Sequence, residues 1–158
     1  MLYTLVRVLD RFVRFPSAHA HCDIPCGIYD PHQAQVDAHT VIRMIDLIKE
    51  AKSSNVHSLA RYTSVKEQHA ESCKHQIRIL WGDYFKDEHV KQFPNLPELV
   101  WRALKQASKT RQGTDRKDGE ALLATVQEIS EIFWKTKGKN PKRVKAPYPS
   151  GGELVLHD

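Results

Sequence analysis

The chain has 158 residues, 41% hydrophobic and 27% charged, the balance of a soluble globular domain and not of a disordered or membrane-spanning chain. Lys and Arg outnumber Asp and Glu by 24 to 19, and +2 of the net +5 falls in the first twenty residues. So small an excess, with no aromatic residues interleaved among the basic ones, argues against a nucleic-acid partner. Three cysteines, two of them close in sequence, do not make a secreted disulfide framework, and a reducing, cytoplasmic setting is the simpler reading.

Met1 to Phe15 is apolar but is interrupted by Arg7, Asp10, Arg11 and Arg14, so it lacks the uncharged core of a secretory signal. No stretch approaches the ~20 apolar residues of a membrane span. Two readings of this segment stand: an amphipathic first helix using Leu2, Leu5, Val6, Leu9 and Val13, or a removable leader over residues 1–20. Next comes His21-Cys22-Asp23-Ile24-Pro25-Cys26-Gly27-Ile28-Tyr29-Asp30-Pro31. Two cysteines at this spacing can close on one metal ion, because thiolates are strong, soft ligands. The spacing alone is equally compatible with zinc ligands or a redox pair. His21 immediately before Cys22 adds an imidazole, and a cut after Ala20 would add an α-amine at the same place. Pro25 restricts its neighbour and helps the segment curl, while Gly27 permits a positive φ or a close backbone approach.

Pro31 suits a first helical turn, with Asp30 as its cap. Ala34, Ala38, Val41, Ile45 and Ile48 then share one face until about Lys52. A second helix is expected from about Ser58 to Phe85, with Tyr62, Val65, His69, Cys73, Ile77, Leu80 and Tyr84 along its stripe. Cys73 reads as a small buried hydrophobe, and Tyr62 and Trp81 as core. Asn95 with Glu98 resembles a helix start, and Leu99, Val100, Ala103, Leu104 and Ala107 form a third stripe to about Lys109. The fourth uses Leu122, Val126, Ile129 and Phe133 and ends at Gly138. His39, His57, His75 and His89 read as surface or satisfied core residues. No stretch shows convincing strand alternation. The expected fold is therefore all-α: an antiparallel four-helix bundle over residues 21–138 with an N-terminal metal-binding hook, and a flexible tail over 139–158.

The hook resembles that of the nickel-containing superoxide dismutases, whose H-C-D-x-P-C-G-x-Y-D-P motif is matched at every defined position. Lys66-Glu67-Gln68, Leu80 to Lys86 and Ile132 to Lys137 are similar to further blocks of that family, in the same order. The resemblance implies one nickel ion per chain and disproportionation of superoxide to dioxygen and hydrogen peroxide. It also implies a leader removed by a processing protease and assembly as a homohexamer. His21, Cys22 and Cys26 would be the metal ligands, through the α-amine and imidazole of His21, the backbone nitrogen and sulfur of Cys22, and the sulfur of Cys26. Two nitrogens and two sulfurs suit Ni(II). By resemblance, Tyr29 guards the open axial face and, with Tyr84 and Asp23, orders water near it, and a longer acid and an arginine hold the axial imidazole. The matching positions here are Asp37 and His69, both departures from the family pattern. The competing readings are a nickel-binding or delivery protein without turnover and a zinc-stabilised helical module. Zinc would prefer a closed tetrahedral site with four side-chain ligands.

Overall fold

The structure is a computed structural model that describes residues 26–158. The leader reading, and His21, Cys22 and Asp23 of the hook, lie outside the described residues. The elements are α1 (His32–Glu50), α2 (Val56–Ile79), a π turn (Leu80–Tyr84), α3 (Asp87–Gln92), α4 (Leu96–Gln112), α5 (Arg116–Thr136), β1 (Pro141–Lys145) and β2 (Glu153–His157). The four long helices close a ring, with α1 and α4 each packed against both α2 and α5.

The apolar stripes account for this packing. Ala34, Ala38, Val41 and Ile45 of α1 are fully buried, and Cys73 and Ile77 of α2 meet Leu122, Val126, Ile129 and Phe133 of α5 in the core. Where α5 crosses α1, Gly119 leaves no room for a side chain, because a Cβ there would stand 2.9 Å from Ile42 Cγ1. Helix α2 also buries Lys66, which is only 2% exposed. Its ammonium donates to the carbonyls of Thr110, Arg111 and Gly113 at 2.5, 2.8 and 3.0 Å. Those carbonyls end α4 and have few helical partners of their own, so one lysine from a neighbouring helix caps α4 and holds the turn into α5.

Helix α4 starts at Leu96 with Asn95 at its N-cap position, where a start was expected, although the Asn95 side chain makes no capping bond; Asp115 caps α5 by accepting from the Lys117 amide at 3.0 Å. Two expectations are corrected. Trp81 is 38% exposed and is not core. The larger correction is that the chain is not all-α. The segment 139–158, expected as a flexible tail, carries an antiparallel hairpin in which Pro141 faces His157 and Lys145 faces Glu153. It is fastened to the helices by side chains that pattern reading treats as polar surface. Gln35 of α1 donates to Val155 O at 3.1 Å and accepts from Val155 N at 2.7 Å. Gln127 donates to Glu153 O at 2.5 Å, and Arg116 to Ser150 O at 2.8 Å. Leu154 and Val155, buried at 5% and 1% exposure, dock on this chain's own helices.

His39 of α1 completes the fastening, with Nδ1 2.9 Å from Ser150 Oγ and Nε2 3.0 Å from Glu153 O. Burial holds this imidazole below the ordinary histidine pKa, only partly opposed by the bond to Glu153. The unfolded chain therefore binds a proton here that the folded chain refuses. The contribution is fully present above about pH 6.5, the unperturbed histidine value, and is lost as pH falls below it. Urea unfolding should give a lower midpoint at pH 5.5 than at pH 7.5, and His39→Gln should flatten that difference. An unchanged difference in the variant would assign the pH dependence to other groups.

Candidate metal centre

Cys26 is half-buried and is followed by Gly27 at φ +70°, a left-handed conformation that costs a side-chain-bearing residue but not glycine. The turn brings the Ile28 amide within 3.4 Å of Cys26 Sγ, where it donates to the sulfur. The same sulfur lies 3.9 Å from Ile28 O, an acceptor for the proton of the thiol, whereas the metal-binding form is the thiolate. Among the described residues, no three His, Cys, Asp or Glu side chains gather closely enough to hold a metal ion. Cys26 is the one expected ligand within the described chain, and its donor chemistry fits nickel.

Two residues further on, Tyr29 packs against Tyr84 with ring centroids 5.5 Å apart. Tyr84 owes its place to the π turn, in which the Phe85 amide reaches back five residues to Leu80 O at 2.9 Å. Single π turns recur at functional sites because the extra residue re-aims the side chains that follow. Phe133 lies 4.6 Å from the Tyr84 ring, and the Lys137 ammonium sits 4.8 Å over its centroid. The Tyr84 hydroxyl is 2.6 Å from Thr136 Oγ1, which itself donates to Phe133 O at 2.7 Å. With the threonine proton committed, the phenol is the donor. Burial pushes its pKa up, so it stays protonated at neutral pH.

Tyr29, Tyr84, Thr136 and Lys137 line a cleft of about 350 Å³ with Gly27, Lys86, Asp83, Glu88 and His89. Lys86 and Lys137 are functional candidates that sequence reasoning passed over, although both stood at the ends of the quoted blocks. His89, read as surface or satisfied core, lines the same cleft. A separate cavity of about 220 Å³ between α1 and the hairpin loop is lined by His39, Arg43 and Tyr148 and shares no residue with the first.

Asp37 and His69 are brought together. His69 Nδ1 donates to Asp37 Oδ1 at 2.7 Å, Ser72 Oγ to Oδ2 at 2.6 Å, and Gln33 Nε2 to Oδ1 at 3.1 Å. The carboxylate is 1% exposed and the imidazole 35%. A carboxylate on Nδ1 fixes the tautomer of the neutral ring and leaves Nε2 as its acceptor nitrogen.

A family described as nickel-containing superoxide dismutase matches residues 16–137. The nickel superoxide dismutases of Streptomyces seoulensis and Streptomyces coelicolor are each 42% identical over 118 residues, covering 75% of this chain and 88% of theirs. A native nickel superoxide dismutase structure is 39% identical with a TM-score of 0.70, covering 75% of this chain and 99% of that one. A second, with nickel ligation after partial X-ray-induced reduction, is 40% identical with a TM-score of 0.71 and the same coverage. The chain belongs to the nickel-containing superoxide dismutase family. The hairpin lies beyond residue 137, where the family match stops.

Cys73 is fully buried on α2, and burial in apolar surroundings, with the nearby Asp37 charge, pushes its thiol far above the ordinary value. It is a packing residue and not a ligand. Iodoacetamide should therefore label the native metal-free protein at Cys26 while leaving Cys73 unmodified until denaturant is added, as read by peptide mass spectrometry. Labelling of Cys73 in the native protein would overturn its assignment.

Proposed function

We propose that this chain is a nickel superoxide dismutase whose site is an N-terminal hook on an antiparallel four-helix bundle, opened by removal of residues 1–20. The observation that carries the reading is the family match over residues 16–137, which contains the whole hook motif. The ligands would be His21, through its α-amine and imidazole, Cys22, through its backbone nitrogen and sulfur, and Cys26, through its sulfur. Nickel held there supplies a one-electron couple able both to oxidise and to reduce superoxide.

The chain's own residues supply the rest. Tyr29 and Tyr84, packed ring on ring, narrow the approach so that a small anion enters and larger molecules do not. With Asp23 they would order water at the open face, and protons for peroxide would arrive through that water. Lys86 and Lys137 bring two cations to the cleft, set against the carboxylates of Asp83 and Glu88. The His69 ring, steadied by Asp37, is the group offered to the His21 imidazole. Among the described residues no helix is long and apolar enough to cross a membrane, and the cysteine usage fits the cytoplasm. Assembly as a homohexamer and processing by a protease follow from the family resemblance.

Asp37→Ala and His69→Ala should each leave nickel bound but lower turnover roughly tenfold or more if they orient the imidazole. Metal analysis beside pulse-radiolysis kinetics reads both quantities, and unchanged rates in both variants would assign another pair to His21. Replacing Cys22 or Cys26 with serine should abolish redox activity. Full activity in a zinc-only sample would sink the nickel assignment.

The cut before His21 is tested directly. A peptide nitrogen has its lone pair delocalised into the carbonyl, whereas a free α-amine with a pKa near ~8 binds metal without that cost. Mature protein beginning at His21 should hold about one nickel per chain, and the same protein with one alanine added before His21 should be severely impaired. Equal nickel spectra and equal rates for the two forms would refute the amine as ligand.

A further inference from the structure

The cleft contains a pairing that the hook chemistry does not use. The Lys86 amide donates to His89 Nδ1 at 3.1 Å. A backbone N–H can only donate, so Nδ1 is the acceptor and the proton of the neutral ring sits on Nε2. The ring is stacked on Tyr84 at 5.5 Å, with 17° between planes, and meets Phe85 edge-on at 5.9 Å. Three contacts thus fix its orientation, and the side chain is only 14% exposed. The nearest carboxylate oxygen to Nε2 is Glu88 Oε1 at 3.8 Å, beyond hydrogen-bond length, on a side chain 72% exposed.

We infer that His89 Nε2–H is a fixed hydrogen-bond donor for the small anion that enters the cleft, and that Glu88 is its internal competitor. This rests on the reading above that the anion is superoxide. The charged groups facing His89 are Lys86 and Lys137 on one side of the balance and Asp83 and Glu88 on the other, with Tyr29 and Tyr84 as phenols. Two cations offset by two carboxylates leave little net attraction at the mouth, so a directed donor decides where the anion sits. Glu88 has the same charge as the substrate and stands beside that donor. The exposed carboxylate must be displaced, or tolerated at close range, whenever the anion binds. Removing its charge tips the cleft towards anions, and removing the donor takes away the contact that orients them. Binding alone is at issue, so no electron or proton changes hands in this step.

The test uses azide, a monovalent anion, titrated into the metal-free full-length chain while the His89 ring nitrogens are followed by NMR. Azide should move the Nε2 signal in the unaltered protein. Glu88→Gln should tighten azide roughly two- to fivefold, the range expected for one exposed charge. His89→Phe, which keeps a ring to stack on Tyr84 but has no donor, should abolish the specific response as read on the Tyr84 ring signals. His89→Gln, which restores an N–H, should recover part of it. In nickel-loaded enzyme kcat/KM for superoxide should follow the same order. Equal azide affinity in the unaltered, Glu88→Gln and His89→Phe proteins would overturn the proposal, as would weaker binding in Glu88→Gln. The azide order in a protein without dismutase activity would keep the donor and its competitor and remove superoxide as their anion. An active enzyme with no azide response at His89 would do the reverse.

Discussion

The buried carboxylate of Asp37 is the constraint on which the rest of the structure depends. A charge taken out of water is tolerated only where donors replace its hydration. Here two of the three donors, His69 and Ser72, come from α2, and the third, Gln33, from the preceding turn of α1. The requirement ties α1 to α2 at one register, because sliding either helix by a turn would strand the charge. Breaking such an arrangement by deleting one partner typically costs about 3–5 kcal/mol. Apolar stripes alone would let the helices settle at several offsets, whereas the carboxylate accepts one.

Helix α1 is gripped from its other side as well. Gln35 and His39, two residues before and after Asp37, reach the hairpin and not α2. Gln35 bonds both backbone groups of Val155, standing in for one residue of a third strand on the edge of β2. The remaining edge, β1, carries Lys142, Arg143 and Lys145, charges of the kind that discourage pairing with another chain. The helix that bears Asp37 is therefore clamped between a neighbour shared with the family and an element that lies beyond the family match.

Much of this was legible in the sequence because helical periodicity is a direct record of burial. Ala34, Ala38, Val41 and Ile45 were read as one face and are all fully buried. The hook's glycine was read as a possible left-handed turn, and Gly27 stands at φ +70°. What escaped has physical causes. The hairpin was missed because its strands are short, one is almost wholly exposed, and its fastening relies on Gln35, His39 and Gln127, whose polarity looks like surface. Lys66 was recognised only as part of a family block, since no pattern signals a lysine buried for the sake of three carbonyls on another helix. The cleft needed the π turn, which repeats no sequence period and moves Tyr84 beside Tyr29.

The clamp on α1 has a consequence for the order in which the protein is made. Gln35 and Val155 are 120 residues apart in the chain, and each satisfies the other. A ribosome adding about 5–20 residues per second separates them by several seconds of synthesis. During that interval α1 can pair with α2, but its second face has no hairpin to receive it, and Gln35 and His39 stay in water. The scaffold next to the hook is thus the first part of the described fold to emerge and the last to be finished. A chain that takes up its metal on a completed scaffold must do so after the hairpin has left the exit tunnel.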